Sequence, residues 1–273
     1  MTAHPGMRAA TKPLYDLVGS GYRDSRRADP RICEDLVRLL QPRAPGRYLD
    51  IGCGAGNYTL ALAGHGGEWH GIDPSSATLA QAEARGPGIG WHQAVAHDLP
   101  FADGEFDGVV CTNAIAYFGD LDRAFREIRR VMRRGRFVVF AALEDQTCTY
   151  WLWKYFPEMM LRSSPFTPAE SSVRAALGRA GFGPVERFPF WVEEDLADLF
   201  LYAGKQRPEI YFDPIVRNNI AAFRLCSPQE LRRGLAALDE DLRTGCFEGV
   251  RARFDDWGGD CSYVVAEVSP EAA

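Results

Sequence analysis

The chain has 273 residues and a net charge of −6, from 37 acidic against 31 basic side chains. It is long enough for a sizeable core, and its acidity argues against a nucleic-acid surface or an anionic membrane as the main partner. Seven cysteines without a C-x-x-C pair suggest neither a disulfide framework nor a zinc knuckle. No metal site is expected. The N-terminus "MTAHPGMRAATK" lacks an apolar leader and no long uncharged apolar run occurs, so a cytoplasmic protein is expected.

Residues 1 to 30 are polar, with Tyr15 and Tyr22 as aromatic punctuation. "DPRICEDLVRLLQP" then places Ile32, Leu36, Leu39 and Leu40 on one helical face behind an Asp29-Pro30 start signal. From Arg47 short apolar runs alternate with amphipathic stretches: "YLDI", "YTLALA", "WHGID", "SATLAQAEA", "GWHQAV", "FDGVVCT", "LDRAFREIRRVM" and "RFVVFAAL". That rhythm predicts right-handed β-α-β units and a parallel, doubly wound α/β sheet. After residue 142 come an aromatic segment, "TCTYWLWKYFPEMM", a helix "TPAESSVRAALGRAGF" and a strand "PVERFPFWV". A long helical stretch, roughly 193 to 245, precedes a last strand at 262 to 268. The expected organisation is an arm and helix (1–46), an α/β core (47–192), a helical insertion acting as a lid (193–258) and a final strand with its tail (259–273).

The functional signal lies in "LDIGCGAGNYT", where Gly52, Gly54 and Gly56 form a turn between strand and helix. Glycine suits a turn that must adopt positive φ and let backbone approach a ligand. A dinucleotide fingerprint requires G-x-G-x-x-G, but here Asn57 stands where the third glycine should be. The stretch closely resembles the first motif of class I S-adenosylmethionine (SAM)-dependent methyltransferases, with Asp50 in the position of the acidic residue. Further marks follow in that family's order: "HGIDPS", "AHDLPFADGEFDGVVCTNAIAYF" and "REIRRVMRRGRFVV", the last with the usual Pro-Gly-Gly turn reduced to Arg134 and Gly135. The segments "YDLVGSGYRDSRRADPRI" and "RPEIYFDPIVRNNIAAF" are similar to a small-molecule bacterial branch of type 11-like methyltransferase domains.

The resemblance implies a mostly parallel seven-stranded Rossmann-like sheet with an inserted helical lid before the last strand, and SAM as cofactor. It implies cofactor contacts from Tyr15, Tyr22, Arg26, Arg27, Asp50, Gly52, Cys53, Gly54, Asn57, Asp73, Pro74, Asp98, Leu99, Thr112 and Asn113. In it Asp73 meets the ribose hydroxyls, Asp98 the adenine amino group, and Leu99 offers a backbone amide to the ring. Arg26 or Arg27 would pair with the cofactor's carboxylate. Acceptor contacts are expected from Tyr117, Trp151, Tyr155 and Tyr202, and Tyr117 and His97 are the candidates for a catalytic group.

Each residue has a structural alternative. Asp73 before Pro74 could cap a helix, Asp98 could be a loop acid, and the aromatics at 150–156 could be core. The Arg-rich stretch 123–136 carries Leu121, Phe125, Ile128 and Val131 at core spacing and reads as a solvated face. The expected activity is methyl transfer to a small apolar or aromatic metabolite by a monomer or homodimer. The rival expectations are a SAM-binding protein without methyl transfer, cyclase-like or serving as a binding partner, and a nicotinamide-dependent oxidoreductase.

Overall fold

The structure is a computed structural model and describes residues 25–254 and 258–268. Its strands are β1 (Arg47–Ile51), β2 (Glu68–Asp73), β3 (Gly90–Gln93), β4 (Gly108–Thr112), β5 (Gly135–Ala141), β6 (Val185–Phe190) and β7 (Cys261–Val268). They form one seven-stranded sheet in the order β3-β2-β1-β4-β5-β7-β6. Neighbours from β3 to β5 pair in parallel, while β7 runs antiparallel between β5 and β6. The strand at the C-terminus therefore belongs to the same sheet, as its apolar alternation predicts.

Strand side chains alternate between faces, and two hydrophobic layers result. Val110, Val138 and Phe140 pack on one face with the Pro30–Leu40 helix and the aromatic segment. Val109, Cys111, Phe137 and Val139 pack on the other, against Phe125, Ile128 and Val131 of the Leu121–Val131 helix. Burial on both faces explains why β4 and β5 read as continuous apolar runs. The arginines of the Leu121–Val131 helix and its C-terminal turn take the opposite side, where Arg130 pairs with Glu127 and Asp103, and Arg133 with Asp107. A solvated, ion-paired face is what the structure shows for this stretch.

Asp29 caps the Pro30–Leu40 helix through the amides of Arg31 and Ile32, which satisfies two of its orphan donors. Gly135 opens β5 at φ 83°, and a Cβ there would overlap the Asp107 carbonyl oxygen. Gly135→Ala is accordingly expected to lower stability by about 2–4 kcal/mol, combining backbone strain with a displaced β4 start. Urea denaturation at constant m-value measures that loss.

The expected long helix from 193 to 245 is corrected. Short 3-10 turns occupy Leu201–Gly204, Pro208–Phe212 and Ala221–Leu225, a five-residue helix covers Pro214–Asn218, and one continuous helix covers Pro228–Thr244. Pro208, Pro214 and Pro228 each begin an element, because proline lacks the amide that would continue a preceding helix. Among the described residues no helix is long and apolar enough to cross a membrane.

Candidate active site

Strand order reverses between β1 and β4, which leaves a crevice at their carboxyl ends. The turn after β1 enters this crevice with Gly52, Gly54 and Gly56 all at positive φ (74°, 53° and 75°). A Cβ on Gly52 would overlap Ala114, which follows β4. The amides of Gly52 and Cys53 both donate to the Ile72 carbonyl at 2.9 Å, so the turn is strapped to β2.

Asp73 ends β2 nearly buried and does two jobs. Its Oδ2 accepts from the Gly54 amide at 2.9 Å, while Oδ1 accepts from the Ser75 amide at 2.9 Å and the Thr78 hydroxyl at 3.2 Å. The capping alternative and the glycine-turn role thus coexist in one carboxylate.

Asp50 is buried at the end of β1. Thr59 Oγ1 donates to its Oδ2 at 2.6 Å, and its Oδ1 is buried without a partner. Burial raises the Asp50 pKa to about 7 and the neighbouring Asp73 charge adds to this, opposed by the Thr59 hydrogen bond. Because the folded value lies above the ordinary 3.8, the group favours the folded state fully below pH 3.8 and loses that contribution as pH rises through 7. The protein alone is expected to lose stability from pH 5 to 8, and Asp50→Asn to flatten that slope, as thermal melts across the range would record.

Thr112 and Asn113 close β4. Thr112 Oγ1 and Asn113 Nδ2 are buried and unpaired, like Asp50 Oδ1 on the adjacent strand. Three buried polar atoms without a protein partner at neighbouring strand ends are unusual in a folded interior.

Asn113, just after β4, also lines a cavity of about 190 Å³. Its floor is Ile115, Ala116, Tyr117, Ala141 and Ala142, after β4 and β5. Phe200, Leu201, Tyr202, Asn219, Ile220, Ala222 and Leu225 roof it from the segment between β6 and β7. Tyr202 stacks on Tyr150 at 4.8 Å and donates to Thr147 Oγ1 at 2.8 Å.

The family model described as "Methyltransferase domain" matches residues 49–140. An uncharacterized methyltransferase, YcgJ, of Bacillus subtilis is 34% identical over 110 residues, which are 38% of this chain and 44% of that protein. The malonyl-[acyl-carrier protein] O-methyltransferase of Geobacter sulfurreducens is 34% identical over 183 residues, 58% of this chain and 64% of the relative. The chain thus spans less than two thirds of these relatives. A solved structure from Anabaena variabilis, assigned as a methyltransferase from an antibiotic biosynthesis pathway, superposes with a TM-score of 0.80. It is 29% identical and the match covers 89% of this chain and 99% of that one. Residues 49–140 thus match a methyltransferase-domain family, and the fold is similar to that of a solved methyltransferase structure.

Several of the residues expected from the family motifs meet at the crevice: Asp50, Gly52, Cys53, Gly54, Asp73, Thr112 and Asn113. Pro74 is half-buried, its carbonyl accepting from Gln93 at 3.0 Å. Asn57 has a different task, donating to the Arg26 carbonyl at 3.1 Å and accepting from Arg85 at 2.6 Å. Tyr15 and Tyr22 lie outside the described residues.

Asp98 is exposed, in the isolated bridge with Val95 that follows β3. Other expectations are corrected. The Leu99 amide donates to Glu127 Oε2 at 3.1 Å, so it is not offered to a ring. Arg26 forks onto Asp198, Nε to Oδ1 at 2.5 Å and Nη2 to Oδ2 at 3.3 Å, so in this structure a protein carboxylate takes the place expected for the cofactor's; Arg27 is exposed. Trp151 and Tyr155 are core residues: Trp151 Nε1 donates to the Lys205 carbonyl, Tyr155 to Asp241, and both rings meet Phe247. Their polar ends find partners in the insertion, which makes them a joint rather than a pocket wall. Tyr202 and Tyr117 do line the cavity, whereas His97 does not.

The motifs missed Phe200, Asn219 and Ile220 of the roof, and Asp198, which also accepts from Tyr58 at 3.1 Å. No local pattern marks these residues, because their partners are up to 172 positions away.

Proposed function

We propose that the protein transfers the methyl group of SAM to a small, apolar or aromatic acceptor held in the cavity beyond Asn113. The observation that carries this reading is the trio of buried, unpaired atoms, Asp50 Oδ1, Thr112 Oγ1 and Asn113 Nδ2, at strand ends beside the glycine turn, with Asn113 also lining a mainly apolar cavity. The donor set fits the cofactor: a carboxyl for a cationic or hydroxyl group, Asp73 for ribose hydroxyls, and a turn without Cβ atoms for close approach. Val95, exposed just after β3, would supply an apolar contact to the adenine in place of Leu99.

When bound, SAM supplies a methyl carbon already made electrophilic by its sulfonium. The chain's part is to bring the acceptor into line and to exclude water. Apolar side chains of the segment between β6 and β7 serve that exclusion as a roof, which is the lid of this proposal. Among the described residues that line the cavity there is no Asp, Glu, His or Cys, and burial raises the Tyr202 pKa well above its ordinary value. A strong base is therefore absent from this described wall, in keeping with catalysis by proximity. His97→Ala and Tyr117→Phe are expected to keep at least a tenth of the turnover; abolished turnover with intact cofactor affinity would assign a base instead.

Calorimetry with SAM, S-adenosylhomocysteine and NADH tests the cofactor, and heat with NADH alone would refute the reading. A cation beside Asp50 Oδ1 draws that carboxyl's pKa down, so SAM binding near pH 7 is expected to release a proton. The apparent binding enthalpy should vary with the ionisation enthalpy of the buffer, and Asp50→Asn should remove that dependence. Formation of S-adenosylhomocysteine on a panel of aromatic and apolar acceptors tests the transfer; cofactor binding with no turnover on a broad panel would favour a binding or cyclase-like role.

A further inference from the structure

Two aromatic residues that line the cavity are also open to solvent. Tyr117 is 41% exposed and Phe166 is 40% exposed, whereas Phe200 and Tyr202, which line the same cavity, are buried in the hydrophobic layer beside the aromatic segment. Tyr117 and Phe166 therefore belong to the rim, and Phe200 and Tyr202 to the interior. Among the described residues Phe166 joins neither hydrophobic layer, so core packing does not explain its ring. Its backbone is nonetheless fixed. The Ser164–Phe166 turn contains Pro165, whose ring sets φ, and the Thr167 amide closes the turn on the Ser164 carbonyl at 3.0 Å. Just beyond, the Pro168 carbonyl accepts from the Glu144 amide at 3.1 Å, which ties the turn to the segment after β5. A large apolar side chain is thus held at the rim with much of its surface in water, an arrangement that disfavours the protein alone.

The interior has limited room. An apolar cavity of about 150 Å³ accepts one benzene molecule, so a cavity of about 190 Å³ takes a single ring with small substituents. Any larger acceptor has to continue across the rim. We propose that Phe166 is a specificity-determining residue for the acceptor: its ring covers a second aromatic ring of that molecule, outside the ring seated in the cavity. This rests on the proposed function and narrows the acceptor from any apolar or aromatic compound to a two-ring one. Tyr117 supplies another aromatic face at the rim, and aromatic pairs gain more than the area they bury, which favours a flat ring over an aliphatic chain.

The test compares phenol, which fits the interior, with 4-phenylphenol, which adds the second ring. Ligand-observed NMR titration of the full chain should find 4-phenylphenol bound about tenfold more tightly, the scale of one aromatic pair together with the area it covers. In Phe166→Ala that gain should fall to about twofold, and in Phe166→Leu, which keeps apolar bulk without the flat face, to an intermediate value. Phenol affinity should stay within twofold of native in both variants, which an altered cavity would not allow. Trp191→Ala removes an exposed ring outside the cavity lining and should leave the gain unchanged. A native gain below threefold, a gain that persists in both Phe166 variants, or no saturable binding of 4-phenylphenol up to its solubility limit would overturn the inference. So would an equal loss of phenol affinity in the Phe166 variants, or an equal loss of gain in Trp191→Ala. S-adenosylhomocysteine binding is measured separately on the same samples. Its absence beside the expected probe pattern would refute the proposed function alone, and its presence without that pattern would refute the role of Phe166 alone.

Discussion

Asp73→Ala is expected to weaken S-adenosylhomocysteine binding by about a hundredfold, the largest loss for any single side chain of the crevice. The carboxylate holds the Gly54 amide at 2.9 Å and, through Ser75 and Thr78, the start of the helix after β2. In the proposed complex it also meets the ribose hydroxyls. Hydrogen bonds to a charged group contribute roughly 1.5–3 kcal/mol each, and a hundredfold change corresponds to about 2.7 kcal/mol. The expected loss therefore needs one or two such contacts and no wider rearrangement. Stability should fall too, by about 2–3 kcal/mol, since three donors lose their acceptor; binding is accordingly measured well below the variant's melting temperature. Asp73→Asn keeps one carbonyl acceptor and should recover part of both losses. A dissociation constant within threefold of native for the alanine variant would remove Asp73 from the cofactor site.

Asp198→Ala is expected to be the most destabilising of the variants considered. Asp198 is 1% exposed and receives Arg26 Nε, Arg26 Nη2 and the Tyr58 hydroxyl. Adjacent contacts reinforce this tie: Ala197 donates to Asp29 Oδ2 at 2.8 Å, Leu199 to the Ser25 carbonyl at 2.9 Å, and Asn219 to Ser25 Oγ at 2.7 Å. The segment that roofs the cavity is thus bolted to the residues before the first helix, and Asn57 bolts those residues to the glycine turn. Removing one partner of a largely buried ion pair costs about 3–5 kcal/mol, because the remaining charge keeps its desolvation penalty. For a chain of this size that amounts to a drop of roughly ten degrees in melting temperature. Replacing both partners, Arg26→Met with Asp198→Leu, should restore most of it, since no buried charge then lacks its counter-ion. A single variant that melts within two degrees of native would show that the bolt is incidental to stability.

The local chemistry of the crevice was legible in the chain itself. The glycines at 52, 54 and 56, Asp50 before them and Asp73 at the end of β2 are set by backbone conformation and by strand ends, which short stretches encode. The alternation of apolar runs specified the parallel sheet, and the pattern of "CSYVVAEV" placed its last strand. Which residues line the cavity could not be read that way. The 150–156 aromatics look alike in sequence, yet Trp151 and Tyr155 are sealed against Phe247 and the insertion while Tyr202, fifty residues on, faces the cavity. The Leu99 amide and the Arg26 fork likewise depended on Glu127 and Asp198, residues brought near only by the packed fold. Strand-end and turn chemistry depend on neighbours along the chain, whereas burial and hydrogen-bond partnership depend on neighbours in space. The glycine turn could therefore be recognised from sequence alone, and the cavity lined by Asn113 and Tyr202 only from the tertiary structure.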